Sequence, residues 1–515
     1  MKSQPVRTVI NAADFHASPE AVLESLRGLP GLVLLRSGPG TSPPAKYSFV
    51  AAQPFLAFRS FGARCELVSS SNGARVQFGN PWHLLEILMG RYEVLDELDL
   101  PFPLGGCFGY WGYDLKNFVE PSLKRHAIDD LELPDSQLGF YDSLVVFDHT
   151  LGKTWIISTG LAEDGSRNEA RAQRQLEIWQ NRLRASQQES PIPQDGRRAQ
   201  QASAKFKEPG VLLPTSYIRD GVDPVCSSLS RRDFLTAVQR AQRYIQAGDI
   251  YQVSLAQRLA APWPAAGWDL FQKLQAVSPS SFSAFLDYGD FQIVSSSPEL
   301  FLYFSGSHVL TRPIKGTRPR HAEPTRDAQL SFELQTSPKE LAELVMITDL
   351  LRNDLGRVCE YGSVQVPELL RLERYPQVQH LVATVEGRLR DRITHSSALA
   401  QCFPGGSVTG APKIRAMEII DDLEPVARGP YTGCLGYLGF NRESQLSIII
   451  RAAVCQSGWS YFHVGAGIVA DSEPEAEYEE TLAKAAGFVT ALRAAKGFIT
   501  NPVVAGSYCS RTSIR

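Results

Sequence analysis

Short apolar segments separated by turn residues limit the folds that are open to this chain. The first 180 residues include GLVLLRS, YSFVAA, SLVVFD and TWIIST, and residues 281–311 supply SFSAFLDY, FQIVSSS and LFLYF. Segments of this length, bounded by Gly, Pro and Ser, are typical of antiparallel strands joined by tight turns. Helical spacing occurs between them without a regular strand–helix alternation. We therefore predict an α+β fold with a large antiparallel β-sheet core flanked by helices.

A polar, proline-bearing stretch divides the chain. Residues 186–224, which begin SQQESPIPQDG, are expected to form a linker or a mobile loop. This stretch separates an N-terminal region, 1–185, from a second folded region, 225–498, and residues 499–515 are expected to form a tail. With 515 residues the chain is long enough for one large core and a further region.

Charge and hydropathy exclude several classes of protein. The formal net charge is −3 and the pI is near 6.3, so no basic field attracts nucleic acid or an anionic membrane. The N-terminus lacks the apolar segment of a signal peptide, and no run of about 18 apolar residues occurs. The eight cysteines form no CxxC pair. We expect a cytoplasmic protein with reduced cysteines.

The segment TRPIKGTRPR places a lysine at the end of a strand. Lys315 follows the β-branched Ile314 and precedes Gly316, where a turn lets a ligand approach the backbone. A single lysine at a strand edge is usually a solvated surface charge. The residue alone therefore leaves both interpretations open.

Two helices each carry a pair of glutamates one turn apart. Glu340 and Glu343 begin the helix after Lys315, and Glu477 and Glu480 share a face near the C-terminus. Glu340 also completes a capping box, which is a structural role that does not explain Glu343. Two such pairs suit a hard cation such as Mg²⁺, although acidic helix faces are commonly just solvated.

Two further residues have the character of site residues. Arg451 lies within the apolar strand LSIIIRAAV, where a guanidinium needs a carboxylate partner from the protein or from a ligand. His380 precedes the strand LVATVEG and has the position of a core histidine. The glycine-rich FPGGSVTGAPK can bind an anion at a helix N-terminus, but it does not match the phosphate-binding loop of nucleotide-binding proteins.

Taken in order, these segments resemble the chorismate-utilising enzymes, which include anthranilate synthase component I, aminodeoxychorismate synthase component I, and the isochorismate and salicylate synthases. The resemblance covers residues 225–495 strongly, and residues 1–185 resemble the N-terminal region of the aminating members. It rests on IYQVSLAQR, SSSPELFL, PIKGTRPR, KELAELVMITDLLRNDLGRVC, QHLVATVEG, FPGGSVTGAPKIRAMEIIDDLE, YTGCLGYLGF, IIIRAAV and GAGIVADSEPEAEYEETLAKA. It implies chorismate as the substrate and Mg²⁺ as the cofactor.

The resemblance also implies roles for individual residues. Glu343 and Glu480 match the metal ligands of the family, with Glu340 and Glu477 as outer or water-mediated partners. Leu344 departs from the histidine that many relatives carry there. Positions that match a tryptophan pocket in relatives are Ser37, Tyr47 and Ser48. Positions that match those holding the carboxylates of chorismate are Gly316, Thr317, Tyr437, Arg451, Gly465, Ala466, Gly467 and Lys484.

One position narrows the subgroup. Lys315 stands at the centre of PIKGT, where the anthranilate, isochorismate and salicylate synthases resemble PIAGT, and a lysine there implies the nucleophile of an aminodeoxychorismate synthase. Glu299 matches the acid or base beside it, and His380 is a weaker candidate for the same end of the ring. Gln252 falls where water-using relatives carry a lysine base, so ammonia is the expected nucleophile. The implied product is 4-amino-4-deoxychorismate, a precursor of p-aminobenzoate and folate.

The resemblance implies a partner that supplies the ammonia. We find no Cys-His-Glu glutaminase segment in the chain, so a separate glutamine amidotransferase subunit is expected. Two alternatives remain. Anthranilate synthase component I would release anthranilate and pyruvate, and Lys315 disfavours it. A non-catalytic chorismate-binding subunit would bind chorismate without turnover, and the retained charged cluster disfavours it.

Overall fold

The computed structural model describes residues 7–13, 15, 17–38, 45–69, 73–94, 100–188, 225–375 and 377–494. Within these ranges the strands run over Val9–Ala13 (β1), Leu32–Ser37 (β2), Tyr47–Ala51 (β3), Leu56–Phe61 (β4), Arg64–Ser69 (β5), Gly73–Phe78 (β6), Gly106–Trp111 (β7), Ser136–Tyr141 (β8), Ser143–Asp148 (β9), Lys153–Ser158 (β10), Cys226–Ser227 (β11), Gln252–Pro262 (β12), Phe282–Asp287 (β13), Phe291–Ser297 (β14), Leu300–Ser305 (β15), His308–Arg312 (β16), Ile314–Pro319 (β17), Gln365–Arg374 (β18), Val378–Arg388 (β19), Gly410–Ala411 (β20), Cys434–Gly439 (β21), Glu443–Ile448 (β22), Ala452–Gln456 (β23) and Trp459–Ile468 (β24).

Helices lie between these strands and on their outer faces. Their bounds are Pro19–Ser25 (α1), Pro81–Tyr92 (α2), Lys116–Val119 (α3), Glu169–Gln188 (α4), Arg231–Gln246 (α5), Gly267–Val277 (α6), Pro324–Thr336 (α7), Pro338–Gly356 (α8), His395–Cys402 (α9), Lys413–Leu423 (α10) and Pro474–Arg493 (α11). Short 3₁₀ turns occupy Tyr113–Leu115 and Gly406–Val408. Among the helices described, none is long and apolar enough to cross a membrane.

The strands form two large antiparallel sheets. One has the order β1-β10-β9-β3-β2-β13-β14-β23-β24-β12-β11, with β20 paired to β12. The other has the order β17-β19-β16-β15-β22-β21-β7-β8-β4-β5-β6, with β18 paired to β19. The predicted α+β fold with an antiparallel core is confirmed.

Both sheets combine strands from the two sides of residues 186–224. In the first sheet β2 pairs with β13, and in the second β7 pairs with β21. The division into residues 1–185 and 225–498 stays a prediction, but both parts contribute strands to both sheets. Helix α4 reaches Gln188, three residues into the predicted linker, and residues 189–224 and the predicted tail lie outside the described residues.

Strand alternation builds a sandwich with helices outside it. Val33 of β2 enters the layer between the sheets, whereas its neighbour Leu34 packs outward, against a cluster that includes residues of α1, α4, α6 and α11. The inner layer is rich in aromatic rings such as Phe49 and Phe108, which are 2% and 0% exposed. Each fully buried side chain of this kind contributes about 1.5–3 kcal/mol. The core therefore fixes the ends of the strands that carry the charged residues.

Helix α8 is seated by one apolar stripe. Leu344, Ile347, Leu351 and Leu355 are buried at helical spacing and face apolar clusters that include residues of β19. The Ser337 side chain accepts from the N–H of Glu340, as a capping box predicts. Leu344, which replaces the histidine of many relatives, is therefore a packing residue.

The cysteines are unpaired where they are described. Seven of the eight are free, and six of those seven are buried. Cys509 lies outside the described residues.

Candidate active site

Lys315 projects from an irregular strand beside α8. The register between β17 and β19 shifts between Lys315 and Thr317, at Gly316. Gly316 has φ +70°, and a Cβ there would lie 2.7 Å from Leu334 Cδ1 and 3.0 Å from Glu340 Oε2. Only glycine meets both demands, so the strand can bring its backbone against the acidic helix.

Ser407 contacts both Lys315 and Glu299 in a partly buried group. The Lys315 ammonium donates to the Ser407 carbonyl oxygen at 3.5 Å, and the Ser407 hydroxyl donates to the Glu299 carboxylate. Burial raises the pKa of Glu299, while Ser407, Lys315 and Lys484 oppose that shift. A carboxyl held in this way retains its proton more readily than an exposed one. It can therefore act as a proton donor next to an amine.

His380 is a buried, neutral imidazole beside the same strand. Its Nδ1 lies 2.9 Å from the Thr317 hydroxyl, and its exposed fraction is 3%. Burial and the nearby Arg451 lower the pKa of His380 to about 4, although a hydrogen bond to the backbone of Gly316 partly opposes the shift. The ring is therefore neutral near pH 7 and holds Gly316 and Thr317 in place.

The four predicted metal-binding glutamates converge from α8 and α11. The pKa of Lys339 is raised because, although burial opposes the shift, Glu477, Glu343, Glu480 and Glu340 all act on its ammonium. Its Nζ lies 3.6 Å from Glu477 Oε1. Burial raises the pKa of Glu343, against the effect of Lys315 and Lys339. The two helices thus present acidic side chains toward the Lys339 ammonium, and the role of these glutamates as metal ligands stays a prediction.

Three of these carboxylates also have basic or hydroxyl partners. Glu340 lies 3.4 Å from Arg318 Nη1, and the Ser472 hydroxyl donates to Glu477 at 2.7 Å. Burial acts to raise the pKa of Glu480, but Lys484, 2.7 Å away, makes the net shift a lowering.

A divalent cation is compatible with this donor set. Across the described residues no three Asp, Glu, His or Cys side chains are close enough together to hold an ion. Mg²⁺ needs only one or two carboxylates because it keeps several waters, and it prefers the oxygen donors found here. Glu343 and Glu480 therefore offer the type of donor that a hydrated Mg²⁺ accepts.

Lys484, which acts on Glu299, contacts a run of small residues on β24. Lys484 Nζ donates to the Gly465 carbonyl at 3.0 Å. Gly465, Ala466 and Gly467 lie on β24, where they pair with β12. A Cβ on Gly467 would lie 2.6 Å from Gln252 Nε2, so glycine at this position leaves room for the Gln252 side chain.

Arg451 is a strained and desolvated cation. It has φ +50°, in the left-handed region that costs a non-glycine residue about 1–3 kcal/mol. Burial lowers the pKa of the Arg451 guanidinium. The positive charge of this group in turn helps to lower the pKa of His380. Among the described residues no carboxylate lies within ion-pair distance of it. Of the two partners the sequence left open, a ligand carboxylate is the one this environment favours.

Tyr437 is not placed with this group. It lies on β21 with 2% exposure, and its ring packs on Phe49 and Phe108 with centroids 5.0 and 5.3 Å away. It lines a separate cavity together with Ser37 and Tyr47. The alternation of β21 directs its side chain into the sandwich, and so the structure groups Tyr437 with the predicted tryptophan pocket.

The predicted pocket residues have distinct positions. The Ser37 hydroxyl donates to the Tyr47 carbonyl at 2.6 Å, and the Ser37 N–H donates to the Ser48 hydroxyl at 3.0 Å. Ser48 is fully buried and lies 2.6 Å from His149 Nε2. Ser37 and Tyr47 thus line the cavity, whereas Ser48 supports it.

Sequence reasoning missed three residues of the site. Lys339 is part of the capping sequence SPKE, and Ser407 is part of the glycine-rich FPGGSVTG, so neither side chain was considered separately. Tyr431 stacks on His463 at 4.9 Å, and its hydroxyl would lie 3.1 Å from a Cβ on Gly465. Lys339 and Ser407 lie in segments that the sequence analysis had already singled out, as a helix cap and as a glycine-rich loop. No local pattern singled out Tyr431.

Comparisons with known proteins match this arrangement. Residues 48–490 match the family model described as chorismate binding enzyme. The chain is 41% identical to anthranilate synthase component 1 of Thermus thermophilus over 83% of this chain and 86% of the relative. It is 37% identical to aminodeoxychorismate synthase component 1 of Escherichia coli over 92% of this chain and 94% of the relative.

A solved structure supports the same relationship. Anthranilate synthase component I from Streptococcus pneumoniae superposes with a TM-score of 0.72 at 30% identity, over 87% of this chain and 93% of that chain. The family match and these relatives each extend over most of the sequence. The chain therefore belongs to the family of chorismate-binding enzymes.

Proposed function

We propose that this chain is the synthase component of an aminodeoxychorismate synthase, which replaces the C4 hydroxyl of chorismate with an amino group. The observation that carries the proposal is the position of Lys315, whose ammonium lies against Ser407 and acts on Glu299. Relatives named for two different reactions match this chain equally well, so the choice depends on this lysine.

The charged groups suggest how the substrate is held. Arg451 has no protein carboxylate partner among the described residues, and Lys484 faces the backbone of Gly465. These two cations would bind the carboxylates of chorismate. Glu343 and Glu480 would hold Mg²⁺, with Glu340 and Glu477 as outer partners, and the bound ion would supply positive charge for a substrate carboxylate.

The reaction then needs a nucleophile and an acid on the same ring. Neutral Lys315 would form a bond to C2 as the ring double bonds shift and the C4–O bond breaks. Glu299 would give its proton to the departing hydroxyl, which leaves as water. Ammonia would then bond to C4, the double bonds would shift back, and Lys315 would leave C2 with its electron pair. The enolpyruvyl group is retained throughout.

We test the proposal by identifying the product. The purified chain is incubated with chorismate, Mg²⁺ and an ammonium salt, with and without an aminodeoxychorismate lyase, and the products are separated by chromatography and weighed by mass spectrometry. We expect an aminated product that keeps its enolpyruvyl group and yields p-aminobenzoate only with the lyase. Direct release of anthranilate and pyruvate would instead establish the anthranilate synthase reaction.

The same incubation addresses the remaining alternative and the partner. Binding of chorismate without any turnover would indicate a non-catalytic subunit. The relatives are named component 1, which supports a second component for this chain. We propose a glutamine amidotransferase subunit in that role, and glutamine should replace the ammonium salt only when that subunit is added.

A further inference from the structure

A buried ion pair lies behind the active-site group. Lys413 begins α10, and its Nζ lies 2.7 Å from Asp354 Oδ2 near the end of α8. The two side chains are 11% and 3% exposed. The same ammonium donates to the carbonyl oxygens of Cys402 at 3.2 Å and Pro404 at 3.0 Å. Three acceptors therefore use all three of its protons.

The segment between this pair and β20 carries Ser407. Gly406 is packed so closely on α8 that a Cβ there would lie 2.5 Å from Leu350 Cδ2. At the far end, the carbonyl of Thr409 accepts from the Ser254 N–H at 2.8 Å. The backbone of residues 402–409 is thus fixed at both ends, with Ser407 between them.

We propose that Asp354 and Lys413 are positioning residues, which hold the 402–409 segment so that Ser407 contacts both Glu299 and Lys315. The inference takes its reaction from the function proposed above, but it concerns the rate and not the identity of the aminated product. Ser407 is the one residue through which the pair acts on the reacting groups. Neither Asp354 nor Lys413 is among the residues proposed to bind chorismate.

A buried ion pair can fix the position of a segment even where it adds little to the free energy of unfolding. Such pairs add little net stability, because the cost of desolvating two charges offsets their attraction. Here the ammonium is also directed at two backbone carbonyls of a segment that follows α9, which fixes the path of the chain. A displacement of about 1 Å at a reacting group can reduce a rate about 100-fold. The pair is placed to prevent such a displacement of Ser407.

The test compares Asp354→Asn with Ser407→Ala and with the double variant. We expect Asp354→Asn to lower kcat for chorismate consumption about 10- to 100-fold while KM for chorismate changes less than about threefold. Ser407→Ala removes only the hydroxyl contact with Glu299 and keeps the carbonyl that faces Lys315. In the double variant the loss should therefore be smaller than the product of the two single losses, because Asp354→Asn displaces the same hydroxyl. Hydrogen exchange in residues 403–409 should quicken in Asp354→Asn and remain slow in Ser407→Ala.

Controls separate positioning from stability and from the proposed reaction. Asp142→Asn removes another buried carboxylate, paired with Arg171 at 2.9 Å, and should leave kcat unchanged. Asp354→Leu with Lys413→Met removes both charges, so it folds without an unpaired ion and should still be slow. Multiplicative losses, or unchanged exchange in residues 403–409, would overturn the inference. An anthranilate product would overturn the proposed function alone, because total chorismate consumption is what is measured here.

Discussion

In the proposed reaction, Lys315 and Glu299 would perform two tasks that a single residue cannot perform. The lysine has to lose its proton before it can attack, while the glutamate has to keep one until the hydroxyl leaves. Burial raises the pKa of Glu299, which favours its protonated form. The proximity of the two groups therefore supports an acid and a nucleophile at one ring.

Replacing the nucleophile tests the first task. Lys315→Ala should reduce amination at C4 at least about 100-fold, because the covalent route to C4 is lost. Slow attack of ammonia at C2 should remain, and mass-resolved product analysis distinguishes the two. Lys153→Ala, at an exposed lysine of β10, is the matched control. An unchanged rate and product in Lys315→Ala would refute the nucleophilic role.

The raised pKa of the Glu299 carboxyl leads to a prediction about the thermal stability of the protein. Because the folded pKa of Glu299 is raised above its ordinary value of 4.5, ionisation disfavours the folded state as pH rises through that window. Glu299→Gln should therefore unfold at a higher temperature than the parent at pH 7 and show no such gain near pH 4. Its kcat should fall. Calorimetric scans at the two pH values check the difference, and equal gains at both would contradict it.

At the scale of elements, the irregular β17 determines how close Lys315 comes to α8. Gly316 combines φ +70° with a close approach to Glu340 and Leu334. Gly316→Ala should raise KM for chorismate and lower kcat, since the strand has to move away from the helix. Steady-state kinetics of this variant and of Gly289→Ala, in an open turn with φ +86°, separate this effect from strain alone. Equal losses in both variants would attribute the effect to backbone strain.

The elements also show what sequence patterns could predict. A capping box predicted the start of α8, and one-turn spacing predicted that each pair of glutamates shares one side of its helix. That spacing does not specify how the two helices are placed relative to each other. Helix α7 was not predicted, since its buried side chains are confined to Leu330, Ser331 and Leu334. The placement of Tyr437 depends on which face of β21 enters the sandwich, and a residue match does not specify that face.

At the scale of the whole molecule, several histidines are folded as neutral groups. Burial lowers the pKa of His380 and of His395 to about 4, well below their ordinary 6.5. The unfolded chain binds these protons at higher pH than the folded one, so stability should be full above pH 6.5 and be lost as pH falls toward 4. Denaturant unfolding across this range measures the loss.

Substitution of His395 tests whether this histidine contributes to the loss of stability at low pH. His395 donates or accepts at both ring nitrogens, with Ser444 at 2.8 Å and the Gly306 carbonyl at 2.8 Å. His395→Gln should reduce the slope of stability against pH between 6.5 and 4, even if it lowers stability at pH 7. His321→Gln, at an exposed histidine, should leave that slope unchanged. A parent protein with flat stability across this range would contradict the assignment.

The pairing of β2 with β13 and of β7 with β21 has a consequence for synthesis on the ribosome. The early strands emerge long before their partners have been translated, so their edges stay unpaired and their apolar faces uncovered during that interval. Contacts between such distant parts of the chain also slow folding. A nascent chain of this enzyme should therefore depend on chaperones until its last sheet strands are made, and its N-terminal half, expressed alone, should aggregate.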